Sequence, residues 1–122
     1  MHWIVDAMNV IGSRPDGWWR DRRAAIERLV SDLDRWAALR DDVVTAVLER
    51  PPQPPLASSV VEIAFAPAAA PNSADDEIVR LVTTHDDAGE VVVVTSDSEL
   101  VQRVRQAGAT THPAKTFRQM LD

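Results

Sequence analysis

Apolar residues follow two rhythms along this chain, short unbroken runs and repeats every three or four positions, and the two rhythms alternate. The runs are Trp3-Ile4-Val5, Val43 to Leu48, a less regular one from Val60 to Phe65 that Glu62 interrupts, and Val91 to Thr95. Runs this short, rich in β-branched residues and bounded by polar ones, predict strands buried on both faces. Between the first two, from about Arg20 to Leu39, Ile26, Leu29, Val30, Leu33, Trp36 and Ala37 recur at helical spacing and leave Arg22, Glu27, Arg28, Asp32 and Arg35 on other faces. Ile78, Val79 and Val82 mark a second helix opened by Ser73-Ala74-Asp75-Asp76-Glu77. Leu100, Val101 and Val104 mark a third, with Gly108 as its stop. A short strand near Ala109 to Thr111 and a helix ending at Leu121 complete the chain. Strands alternating with helices imply parallel pairing through right-handed crossovers. The expectation is an α/β fold: a central parallel sheet of four to five strands between two layers of helices.

Two proline-rich stretches, Arg50 to Pro55 and Ala66 to Asn72, cannot be helix or central strand, since each proline removes a donor and fixes φ. With only 122 residues, treating them as linkers would leave fragments too small to fold, so residues 1–122 read as a single domain with surface loops.

Charge narrows the partners. The 19 acidic residues outnumber the 13 basic ones, for a net charge of −6, which argues against broad attraction to nucleic acid or anionic lipid. A polyanion would have to bind locally, and every basic residue except Lys115 is an arginine, able to grip phosphate through two donors. Without cysteine there is no disulfide framework and no thiolate zinc site, and His2, His85 and His112 are scattered in sequence. No apolar run approaches the ~20 residues of a membrane span and no basic leader opens the chain, so a cytoplasmic protein with no membrane association is expected.

Two strands are tipped by an acid. The first ends in Asp6, which this reading presents at the sheet edge, not buried, and the run Val91-Val92-Val93-Val94-Thr95-Ser96 ends in Asp97. Asp75, at a helix start after the third strand, faces the same end, because every strand-to-helix junction in such a fold does, and ligands of parallel sheets bind beyond those carboxyl ends. Three carboxylates converging on one point require protonation or a divalent cation, and a site of this kind suits Mg²⁺ or Mn²⁺, hard ions that take oxygen ligands. Such an ion activates water and screens a phosphodiester, so phosphoester hydrolysis is the natural chemistry.

Plainer readings stand beside these. Asp97 can simply cap the following helix, and Ser96 to Glu99 has capping-box spacing. Ser73 to Asp76 has the same spacing, which makes Asp76 the box partner and leaves Asp75 for metal. Asn9 can serve only its own turn. Arg14, Trp18, Trp19, Arg20, Arg22 and Arg23 mix guanidinium groups with rings, as surfaces that hold phosphates and stack on unpaired bases do; equally, the tryptophans can pack under the helix while the arginines face solvent. Lys115 and Arg118 on the last helix are weaker candidates of the same kind. A phosphatase with an Asp nucleophile wants a second Asp two residues after the first, where Met8 stands, and the integrin-type metal site wants hydroxyl residues there.

Three separated segments, Asp6-Ala7-Met8-Asn9-Val10-Ile11-Gly12 with Arg14-Pro15, Ala74-Asp75-Asp76-Glu77-Ile78, and Thr95-Ser96-Asp97-Ser98-Glu99-Leu100, together resemble the NYN domain of the PIN-like nuclease superfamily, and within it the YacP-like branch of small bacterial proteins. The likeness spans essentially the whole chain. It implies a PIN-like (Rossmann-like) three-layer domain and a metal-dependent endoribonuclease acting on single-stranded RNA, with the ribosome or an RNA-processing complex as partner. Asp6, Asp75 and Asp97 fall on the family's metal-binding acids, Asn9 on its polar partner, and Glu99 where many PIN-like proteins have a further Asp. Asn9 and Ser96 would orient water or a phosphate oxygen, and Arg14, Arg20, Arg23 and Lys115 would hold substrate. Ala7 stands where the family usually has Gly, which would strain a loop needing φ above zero. An RNA-binding or regulatory protein that keeps the fold without cleaving is the alternative.

Overall fold

The computed structural model describes residues 1–67, 70 and 72–122. Residues 68, 69 and 71 of the expected loop at 66–72 lie outside the described residues. Five strands, β1 (His2–Asp6), β2 (Val43–Leu48), β3 (Glu62–Phe65), β4 (Val91–Val94) and β5 (Thr110–His112), form one all-parallel sheet in the order β3-β2-β1-β4-β5. The chain builds outward from β1 to one edge, then returns to add β4 and β5 on the other side. That reversal opens a crevice at the carboxyl ends of β1 and β4, the place where such sheets bind ligands.

Successive side chains of each strand point to opposite faces, so both faces need a helical cover. Trp3, Val5, Val44, Ala46, Val92 and Val94 pack against α1 (Ala7–Ile11), α2 (Arg22–Ala38) and α5 (Ala114–Leu121). Ile4, Val47, Val91 and Val93 pack against α3 (Ser73–Thr83) and α4 (Ser98–Gln106). The largest fully buried side chain, Phe117 of α5, lies 5.7 Å from the ring of Trp3 and 5.2 Å from that of Trp36, measured between centroids. Arg40 covers this aromatic group from outside, with its guanidinium 4.5 Å from the Trp36 ring centre.

The long helix α2 starts two residues later than the repeat suggested, because Asp21 caps it by accepting from the Ala24 amide at 3.1 Å. Asp34 on its outer flank accepts from the amides of Ser59, Val60 and Val61, which delivers the chain into the edge strand β3. Desolvation opposes the Asp34 charge, but the three amides outweigh it and hold this carboxyl below its usual range. Gly108 ends α4 at φ +100°, where a side chain would be strained.

Two sequence expectations fail here. The stretch after Asp6 is not a loop: α1 begins at once with Ala7, whose backbone is not left-handed, so an alanine there strains nothing. Ser73 does not cap α3 and Asp76 is no box partner. The cap is Asn72, held at φ 62°, a conformation Asn tolerates better than most residues. Ser73 instead donates to the Glu49 carbonyl at 3.1 Å and ties α3 to the end of β2, while Asp76 pairs with Arg103. No helix among the described residues is long and apolar enough to cross a membrane.

Candidate active site

Asp6, Asn9, Asp75 and Asp97 line one pocket of about 300 Å³ at the carboxyl end of the sheet, together with Glu49 and residues 70 and 72–74. Four chain segments contribute. Asp6 ends the central strand, Asn9 sits one turn into α1, Asp75 lies in the first turn of α3, and Asp97 precedes α4.

Contrary to the sequence expectation, Asp6 is buried, with 6% of its surface exposed. Because α1 starts directly after it, the chain folds back over the strand tip and shuts out solvent. Thr95 at the end of β4 donates to Asp6 Oδ2 at 3.0 Å and accepts from the Asp97 amide at 3.1 Å, linking the two acids through one hydroxyl. Burial pushes the Asp6 carboxyl up to about 6; the hydrogen bond from Thr95 opposes this, and the charges of Asp75 and Asp97 add to it. Asp75 is raised as well, by burial first and then by Asp97.

Asp97 caps α4, accepting from the Leu100 amide at 3.0 Å, and lines the pocket too, so capping does not remove it from the pocket. Asn9 Oδ1 accepts from the Ser96 amide at 2.8 Å, which joins α1 to the β4–α4 turn and leaves the Nδ2 donor for other contacts. Ser96 is not in the pocket: its hydroxyl accepts from the Ala114 amide at 2.9 Å and holds the start of α5. Nor is Glu99 a pocket residue, since the first turn of α4 carries it to the exposed face.

The proposed substrate cations are dispersed. Arg14 pairs with Asp122, and Lys115 is exposed on α5, so neither reaches the acid pocket. Arg20 lies beside the exposed ring of Trp19, with 6.0 Å from guanidinium to ring centre. Arg23 pairs with Glu27 and donates to the carbonyls of Pro54 and Pro55, bracing the proline-rich loop. Trp18 packs on the core as a structural residue would, whereas Trp19 is 53% exposed. Glu49 escaped the sequence reading, although it follows β2 as Asp6 ends β1; an acid closing an apolar run was the signal. His2 and His85, far apart in sequence, meet at the opposite end of the sheet with ring centroids 5.3 Å apart.

The donor set suits a hard divalent ion: carboxylate oxygens only, with the carboxyls of Asp6 and Asp75 raised by burial first and by neighbouring acids second, and none of the three aspartates ion-paired among the described residues. They do not converge on one point as expected. Among the described residues no three acidic or imidazole groups close to a common ligand position, since Thr95 and the α4 cap hold Asp6 and Asp97 in place. That spacing fits an ion taking one or two carboxylates and keeping water, as Mg²⁺ does.

The raised Asp6 pKa gives a signed prediction for the metal-free protein. A carboxyl whose folded value lies above its unfolded one stabilises the fold below pH 3.8 and loses that contribution as pH rises through about 6. The loss is on the order of 2–3 kcal/mol. In chelator, Asp6→Asn is expected to melt well above the parent at about pH 8 and level with it near pH 4; parallel melting profiles would refute the assignment.

Crevice and strand order define a doubly wound α/β protein with an acidic pocket at its switch point, and the comparisons make the class specific. The family model of the YacP-like NYN domain matches residues 3–122, so the chain belongs to that family, which is of nuclease type. The crystal structure of Rae1 (YacP) from Bacillus subtilis superposes with a TM-score of 0.83 at 20% identity, covering 99% of this chain and 73% of that one. Its W164L mutant gives 0.73 at 20% identity, covering 99% and 74%. At that identity the likeness establishes the fold. No curated protein matches the chain.

Proposed function

We propose that residues 1–122 act as a single NYN domain and as a divalent-metal-dependent endoribonuclease that hydrolyses single-stranded RNA at the pocket of Asp6, Asp75 and Asp97. The observation that carries this reading is the gathering of three carboxylates from separate segments, two of them raised by burial and by their neighbours' charge, at the crevice of a nuclease-type fold. Bound Mg²⁺ or Mn²⁺ supplies charge neutralisation at the phosphate and an activated water. One or two of Asp6, Asp75 and Asp97 would bind it directly and the remainder through its waters. Thr95 fixes the Asp6 carboxylate, and the Asn9 Nδ2 donor steadies a water or phosphate oxygen over the site. Ser96 acts at one remove, by setting the turn that carries Asp97. We place the activity in the cytoplasm, with the ribosome or an RNA-processing complex supplying the RNA.

One observation favours a second reading, an RNA-binding protein that keeps the fold without cleaving: the three acids do not close on a common point. Incubating purified protein with labelled single-stranded RNA in Mn²⁺, in Mg²⁺ and in chelator separates the two. Cleavage that requires metal supports the nuclease; RNA binding without cleavage in either metal supports the alternative.

A further inference from the structure

Beside the acid pocket lies a second and larger depression, about 400 Å³, in the size range of small-ligand sites. Met8, Ile26 and Leu48 form an apolar floor, Arg22 and Arg50 stand at its sides, and Pro51 lies in one wall. Glu49 borders both depressions, and α1 carries Asn9 to the acid pocket and Met8, its neighbour, to the groove. The two are therefore adjacent parts of one surface.

The charge of this groove runs against that of the chain. In a protein of net charge −6, three arginines gather here, next to a pocket lined by four acids. Arg23 is committed to Glu27 and to the proline-loop carbonyls. Arg22 and Arg50 have no carboxylate partner among the described residues, and Arg22 lies with its guanidinium 5.4 Å from the Trp18 ring centre. An apolar floor with unpaired guanidinium groups at its edge complements an unpaired nucleotide: the base against Met8, Ile26 and Leu48, the phosphates against the arginines. The wall needs little ordering, because consecutive prolines fix φ in Arg50-Pro51-Pro52-Gln53-Pro54-Pro55.

Resting on the ribonuclease reading, we infer that this groove is the subsite for one unpaired nucleotide of the RNA substrate beside the cleaved phosphate, with Arg22 and Arg50 on the flanking phosphates. The subsite explains how a strongly acidic protein holds a polyanion: it concentrates its cations at one place and leaves the rest of its surface repulsive. It also restricts the substrate, because a base locked in a duplex cannot enter.

The test is fluorescence anisotropy of a short labelled single-stranded RNA in chelator, so that binding is read without cleavage, with metal-dependent cleavage measured in parallel. Arg22→Glu and Arg50→Glu are each expected to weaken binding at least about 10-fold and to lower the salt dependence by about one phosphate contact. Arg105→Glu, the same charge change on the exposed side of α4, should change it less than about 2-fold. An abasic strand of equal charge should bind the parent at least about 5-fold more weakly than the RNA. Equal losses in all three variants, or equal affinity for the abasic strand, would overturn the subsite, as would a parent that binds no RNA. Metal-dependent cleavage untouched by Arg22→Glu and Arg50→Glu would remove the subsite and leave the nuclease standing. Variants that lose binding in a protein that never cleaves would do the reverse.

Discussion

Asp97→Asn is expected to lower metal-dependent RNA cleavage by on the order of 10²–10³-fold while leaving the fold intact. The separation follows from the two roles of this side chain. As the α4 cap it accepts one hydrogen bond from the Leu100 amide, and Asn caps helices about as well as Asp, so stability should change by no more than about 0.5 kcal/mol. As a pocket acid it contributes a charge that Asn lacks. Asp97→Ala is expected to lose both functions and to melt lower, by about 1 kcal/mol. Cleavage rates measured at matched folded fraction decide the matter; an Asn variant as fast as the parent would show that Asp97 is a cap and nothing more.

Phe117→Ala is expected to have the largest effect on stability, about 3–5 kcal/mol, a large part of the ~5–15 kcal/mol that holds an ordinary domain together. Phe117 is fully buried between Trp3 and Trp36, so its removal leaves a cavity in the layer that joins α5 and α2 to the sheet. The damage should reach the pocket. The start of α5 is held by Ser96, whose amide is held by Asn9, so a loosened α5 frees the turn that presents Asp97. Urea unfolding followed by tryptophan fluorescence reads the change directly, since two of the four tryptophans line the cavity. Lys115→Ala, two residues away and exposed, should lie within about 0.5 kcal/mol of the parent, and a Phe117→Ala loss below about 1 kcal/mol would contradict this packing.

The sheet was readable because its evidence is local: β2 was marked to the residue by one β-branched run, and β4 to within one, since strands covered on both faces show no alternation to misread. That Asp6 and Asp97 come to the carboxyl end of the sheet was readable for the same reason, since both are acids closing apolar runs. What escaped depends on contacts made across the chain. No periodicity announces that α1 starts the moment β1 ends, yet that is what buries Asp6. Arg14 looked available for substrate until its partner Asp122, at the other end of the sequence, was in place. Ser73 and Ser96 have cap spacing, but their hydroxyls go to the Glu49 carbonyl and the Ala114 amide, partners that exist only in the folded protein. The arginine groove was divided between α2 and the proline-rich loop, and the halves meet only where the start of α2 lies beside the end of β2.

Whether Asp6, Asp75 and Asp97 act as one site for a divalent ion is decided by calorimetric titration of Mn²⁺ into the parent and into the three single Asn variants. The parent is expected to bind Mn²⁺ and each substitution to weaken binding by at least about 10-fold, whichever of the three segments carries it, with every variant folded. A parent that takes up no Mn²⁺, or variants that bind it as tightly as the parent, would contradict the account.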